Sequence, residues 1–211
     1  MIHKTTRSIL SVLLAALLLV TSTPLTPAFA GEGGAVSLQS ESDEGRALEQ
    51  ADDGTYLIYT AENLKEFAAI VNGTDGTSTD SDANAKLMND IDLSSVCGPK
   101  LNDGSSVSWT PIGNSSPYSG NFNGNGHPIS GLYINSSAND QGLFGYLSGT
   151  VQNLSVSGSV KGDDYVGGVA GQNGGRITDC DFTGSVSGVS YVGGVVGYNL
   201  SLIHISEPTR R

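Results

Sequence analysis

The chain has 211 residues, 29 of them glycine, with only 15% charged side chains and a formal net charge of −11. So acidic a surface, with 10 Lys and Arg against 21 Asp and Glu, cannot neutralise phosphates, which excludes nucleic acid and argues against anionic lipid as a partner. Cationic groups or divalent ions match it better, and most of the charge serves solubility.

The first segment, residues 1–30, opens with Lys4 and Arg7, continues through an apolar run from Ile9 to Val20, and closes on Ala28, Phe29 and Ala30. This is the layout of a secretory signal peptide with an A-x-A cleavage site, and its apolar run is too short to span a bilayer. No cysteine follows the run, which argues against a lipoprotein. Cleavage would remove two positive charges and no acids, taking −11 to −13. The expected location is secreted or cell surface, with no membrane span left after signal cleavage. Residues 31–53 are acidic and lack sustained periodicity, as a flexible spacer does; a short helix around Arg46 to Gln50 is the one local structure they suggest.

Residues 54–84 read as an N-terminal cap made of a strand, a helix and a loop. Tyr56 to Tyr59 form the strand, and Thr60 is an N-cap with Glu62 in the first turn, where the helix dipole favours an acid. Leu64, Phe67, Ala68 and Val71 follow at helical spacing and Asn72-Gly73 stops the run, so the helix is expected over 61–71. In the loop, Asp80, Asp82 and Asn84 imitate the start of a calcium site. Ala85 stands where the sharp turn needs Gly and Ile91 where the bidentate Glu belongs, so a solvated loop is favoured.

Residues 85–199 carry the repeats. Leu87, Ile91 and Leu93 share one face of a strand; residues 96–113 are less regular and hold the only tryptophan, Trp109; residues 118–134 are rich in Gly-Asn turns, with Phe122, Ile129, Leu132 and Ile134 as core candidates. From Gly142 the sequence then repeats with a period of 26 residues. Gly145, Gly171 and Gly197 correspond, as do Val151 with Ile177, Leu154 with Cys180, Val156 with Phe182, Gly158 with Gly184, Val160 with Val186 and Tyr165 with Tyr191. A fixed period of this size signals a solenoid, propeller or array.

Within a unit the apolar residues fall at even positions, which means half-buried strand. The Gly-Gly pairs at 167–168 and 193–194 suit corners where φ is positive. One unit has too few apolar side chains to offset the ordering of its backbone, so it must stack on its neighbours. The expected fold is all-β: a right-handed parallel β-helix of roughly four units, the first two imperfect, with the 61–71 helix covering its open end. An uncovered end would expose strand edges and core. A propeller ranks second, because a blade needs four antiparallel strands and usually about 40 residues.

The segments GLFG (142–145), GVAG (168–171) and GVVG (194–197), each following Tyr-Val or a Gly-rich turn, resemble the GLUG-motif repeats of bacterial surface and secreted proteins. WTPIGN (109–114) and YSGNFNGNGHPISGLYI (118–134) are similar to what precedes such repeats, so the resemblance covers residues 55–199. It implies a β-helix stalk or adhesin-like region of a large exported protein, and it brings no agreed catalytic residues. The last segment, 200–211, departs from the repeat: LSLIHISEPTRR has no glycine, contains Pro208 and ends on two arginines. It resembles translated sequencing-adapter read-through and reads as a foreign tail, so the natural protein is expected to continue past Asn199 with more repeats.

Parallel β-helices also host polysaccharide lyases and glycosidases, and glycoside hydrolysis needs two carboxylates roughly 5 to 9.5 Å apart on a groove. The candidates are Asp179 and Asp181, flanking Cys180, with Asp163 and Asp164 in a neighbouring turn. One unit away their equivalents are Asn153, Ser155, Val189 and Ser190, so the solvated-face reading is preferred. Tyr165 and Tyr191 read as repeat positions rather than as a sugar-stacking cluster. Histidine chemistry has little support: His3 lies in the leader, His204 in the tail, and His127 stands alone between Gly126 and Pro128. Cys180 takes the core place of Leu154 and reads as a small hydrophobe; a bridge to Cys97 stays open. The Asn-x-Ser/Thr triplets are what an Asn- and Ser-rich chain produces by chance.

The sequence therefore assigns no catalytic, cofactor-binding or metal-ligating residue. It points to an exported repeat protein with an adhesion or scaffolding role, touching a glycan or an extracellular protein along the flat side of the stack. The alternatives are a carbohydrate-active β-helix enzyme, or the non-catalytic forepart of an exported protease.

Overall fold

A computed structural model describes residues 45–74, 76, 79–100, 105–114 and 116–201. The leader at 1–30, the spacer up to residue 44 and the tail from 202 lie outside the described residues. The described chain is β-rich. It runs β1 (Glu49–Gln50), β2 (Tyr56–Ile58), α1 (Ala61–Asn72), β3 (Ala85–Leu87), β4 (Ile91–Asp92), a 3-10 turn (Leu93–Ser95), β5 (Asn121–Asn123), β6 (Ile129–Asn135) and β7 (Phe144–Leu147). The more regular part follows as β8 (Thr150–Lys161), β9 (Asp164–Gly167), β10 (Ala170–Asn173), β11 (Arg176–Ser187), β12 (Ser190–Gly193) and β13 (Val196–Asn199).

Local chemistry sets the ends of α1. Thr60 is extended and its hydroxyl accepts a hydrogen bond from the Asn63 N–H, 3.1 Å away. Gly73 adopts the left-handed conformation at φ 68°, and the N–H groups of Gly73 and Thr74 return to the carbonyls of Ile70 and Ala69. Leu64, Phe67, Ala68 and Val71 form the buried face. Just upstream, the suggested helix at Arg46–Gln50 is absent. Glu49 and Gln50 instead pair antiparallel with Leu57 and Tyr56, and the Arg46 guanidinium lies 3.5 Å from the centre of the Tyr59 ring.

Among the described strands every pairing but β1–β2 is parallel, and one isolated antiparallel bridge joins Gly98 to Val107. Three sheets result: one built on β1 to β6 with β8 and β11, one of β7, β10 and β13, and one of β9 and β12. The long strand β8 organises the first. On one edge it pairs with β5 through residues 150–152 and with β6 through residues 156–161. Its other edge pairs with β11 from Arg176 on Thr150 to Ser187 on Lys161. Equivalent residues 26 apart thus sit side by side: Val151 with Ile177, Leu154 with Cys180, Val156 with Phe182 and Val160 with Val186.

Inward side chains from successive strands meet in rows. Ala85, Phe122, Val151 and Ile177 make one row; Ile112, Phe144, Ala170 and Val196 make another. Between them, Tyr118 stacks on Phe144 at 5.5 Å and Phe122 meets the same ring edge-on at 5.3 Å. Phe67 joins this cluster from α1. Trp109 is buried, its indole N–H donating to the Leu143 carbonyl.

The rows allow no Cβ where two backbones touch. A Cβ on Gly158 would overlap the Leu132 carbonyl oxygen, and one on Gly184 would overlap that of Gly158. This is why glycine interrupts the apolar alternation at the same place in both units. Burial falls along each row toward β11, β12 and β13. Val151, Leu154, Val156 and Val160 are buried, whereas Ile177, Cys180, Phe182 and Val186 are only partly so. Among the described residues no strand pairs with the outer edges of those three strands.

Candidate functional site: a surface tyrosine strip

The most distinctive exterior feature is assembled from three successive layers. The bridge of Gln141 to Val166 and the pairing of Val166 with Val192 align three preceding residues: Asp140, Tyr165 and Tyr191. All three have left-handed backbone, with φ of 58°, 60° and 53°. Such a residue turns the chain at a corner, so that the next side chain goes inward while its own stays outside; Val166 is fully buried beneath Tyr165. A non-glycine residue there costs roughly 1–2 kcal/mol. Alongside, the pairing of β7, β10 and β13 aligns Tyr146, Gln172 and Tyr198.

The two rows touch. Tyr165 and Tyr191 stack with ring centroids 5.0 Å apart and planes 12° from parallel. Tyr198 leans on both, at 5.5 Å and 5.1 Å, inclined 53° and 64°. The Gln172 side-chain amide donates to Asp140 Oδ1 at 2.5 Å. Asp140 and Asp164 form no ion pair among the described residues. Loss of water around the packed Tyr165 ring raises its phenol pKa; Tyr191, Asp164, Tyr198 and Asp140 push it further the same way. The Tyr165 hydroxyl therefore stays protonated at neutral pH.

The structure places the sequence-derived carboxylates elsewhere. Asp179 and Asp181 are exposed on β11, and Asp181 Oδ1 accepts a 2.6 Å hydrogen bond from Ser155 of the preceding layer. No hydrogen bond links any two of Asp163, Asp164, Asp179 and Asp181. His127 Nδ1 lies 2.7 Å from Asp90 Oδ1 at the surface. Asn84 ties its loop to the sheet by accepting from the Asn121 N–H. Cys97 is buried and Cys180 half-buried, both are free thiols, and burial raises both pKa values.

Sequence reasoning misread the tyrosines. Tyr165 and Tyr191 are repeat positions and also a cluster, because side-by-side stacking at the 26-residue period puts their rings in contact. Tyr198 could not be placed, because its neighbour in the previous layer is Gln172 and not a tyrosine. A second exterior feature was also invisible. A polar groove of about 490 Å³ lies over β2, β3 and β5, lined by Asp53, Thr55, Asn84, Lys86, Asn121 and Asn123.

In-register parallel layers with a partly exposed aromatic row define a β-rich repeat protein. Residues 162–187, which span β9, β10 and β11, match the GLUG motif. The chain is also 36% identical over 125 residues to halomucin of Haloquadratum walsbyi (strain DSM 16790 / HBSQ001); the alignment covers 57% of this chain and 1% of halomucin. No solved structure matches.

Proposed function

We propose that this chain is a segment of an exported repeat protein, secreted or held at the cell surface, that serves as an adhesion or scaffolding stalk and is not an enzyme. The observation that carries the reading is the register of β8 on β11, in which residues 26 apart lie side by side, within the stretch that also matches the GLUG motif. The likeness to halomucin supports a place outside the cell.

In this reading the layers wind as a right-handed parallel β-helix, since parallel crossover connections are overwhelmingly right-handed. Residues 1–30 direct export, 31–53 form a spacer, and 54–84 cap the first layer. Repeats beginning at residue 85 continue past Asn199, and residues 200–211 are foreign to the natural chain. A further layer would cover the half-exposed Ile177, Phe182 and Val186 and the Val192 side chain. The side of the stack meets its partner, a glycan or an extracellular protein.

Expression of the full chain in an exporting bacterial host tests the central claim. The protein should be open to protease on intact cells or present in the medium, with an N-terminus at Gly31. Retention in the cytosol with residues 1–30 intact would overturn it. Resequencing the locus tests the continuation, which a native stop codon directly after Arg211 refutes.

A further inference from the structure

We propose that the strip formed by Asp140, Tyr146, Tyr165, Gln172, Tyr191 and Tyr198 binds a neutral saccharide chain. The inference deepens the surface reading above and rests on it for access to such a polymer.

The rings are not needed to close the core. Val166 is fully buried beneath the strip, while Tyr165, with a layer on either side of it, is still only partly buried. Two of the rings also sit on left-handed backbone, where glycine or asparagine would be less strained. Side chains held outside at such positions offer apolar surface to something other than the protein interior.

The chemistry around the rings selects the ligand. A sugar presents a C–H face and, beside it, hydroxyl groups that both donate and accept. The tyrosines supply the matching apolar surface and their own hydroxyls. Because Tyr198 is inclined 53° and 64° to the stacked pair, that surface faces more than one direction. Asp140 Oδ1 and the Gln172 amide, locked together at 2.5 Å, fix a polar edge next to the rings. Among the described residues the other Asp140 oxygen and the Asp164 carboxylate accept no hydrogen bond from a side chain, which leaves them to receive sugar hydroxyls.

Charge and ring geometry then exclude the competing classes. Two carboxylates without ion pairs, on a chain of net charge −11, repel uronate or sulfated polymers. An ammonium ligand would need several ring faces turned toward one point. Here Tyr165 and Tyr191 cover one face of each other, so among the described residues the strip makes no such cage.

Affinity electrophoresis of the full chain in native gels tests the proposal, with hydroxyethylcellulose and galactomannan as neutral probes, polygalacturonate as the anionic one and chitosan as the cationic one. At least one neutral polymer should retard the protein and polygalacturonate should not. Tyr191→Asn, which removes a ring but tolerates left-handed backbone, and Asp140→Asn should each weaken retardation about tenfold or more. Tyr165→Phe keeps the stack and should lose less. Each variant is checked for an unchanged far-UV circular dichroism spectrum, so that loss of binding is separated from loss of fold. The site is disproved if neither neutral polymer retards the protein, if retardation survives Tyr191→Asn and Asp140→Asn, or if chitosan alone retards it. A folded protein that binds no saccharide would sink the strip while leaving export, read separately from the N-terminus and protease access, unaffected.

Discussion

Asn72, the last residue of α1, is buried with its side chain fully engaged. Its amide donates to the Pro111 carbonyl and its oxygen accepts from the N–H groups of Gly113 and Asn114, each at 3.0 Å. The pairing Asn72-Gly73 announces a helix end in the sequence, but nothing local reveals that the same asparagine holds a loop some forty residues away. Asn72→Ala would strand two backbone donors and one acceptor, at about 1–3 kcal/mol for each group left buried. A loss of about 3 kcal/mol or more is expected, read as a lower urea midpoint at an unchanged slope. Tyr118 makes a second residue-scale prediction. Its hydroxyl donates to the Ala83 carbonyl at 2.8 Å, and burial pushes its pKa far above the ordinary phenol value. A group whose folded pKa is raised contributes stability in full below its unfolded pKa and loses it above. Stability should therefore fall as pH rises beyond about 10, and Tyr118→Phe should flatten that alkaline limb in pH-dependent denaturation.

At the scale of elements, β8 and β11 have almost the same inward pattern and different environments. Leu154 is covered on both sides, by β11 and by the layers beneath; Ile177 has the Val151 row on one side only. Leu154→Ala should cost about 2–5 kcal/mol, as truncation in a closed core does. Ile177→Ala, deleting a side chain of equal size, should cost less than half of that, and paired urea melts compare the two. If both changes cost the same, the outer face of β11 is covered in solution. The apolar alternation that marks these strands was plain in the sequence, as were Phe122, Ile129, Leu132 and Ile134 of the preceding layer. The short strand at Glu49–Gln50 was not, because its only reason to be extended is the partner strand β2.

For the whole stack, stability should grade along its length. A layered repeat loses order from its ends, since each layer touches only its neighbours. Amides of β6 and β8, hydrogen-bonded between other strands, should exchange with the slowest rates. Those on the outer side of β11, β12 and β13 should exchange fastest among the repeats, as hydrogen–deuterium exchange would show peptide by peptide. Uniform protection from β6 to β13 would count against opening from the ends.

The residues alone determined the β-rich class, the 26-residue period and the identity of the stacked pairs, because a period fixes which side chains must be equivalent once like lies on like. They also set the limits of α1 closely, since Thr60 and Gly73 act on backbone groups within five residues of themselves. Tertiary structure decided what depends on distance across the stack. It gathered Tyr198 with Tyr165 and Tyr191, gave Asn72 its remote partners and shaped the groove around Lys86. Those outcomes follow from how layers are offset and where side chains leave the corners, and neither quantity is carried by local spacing.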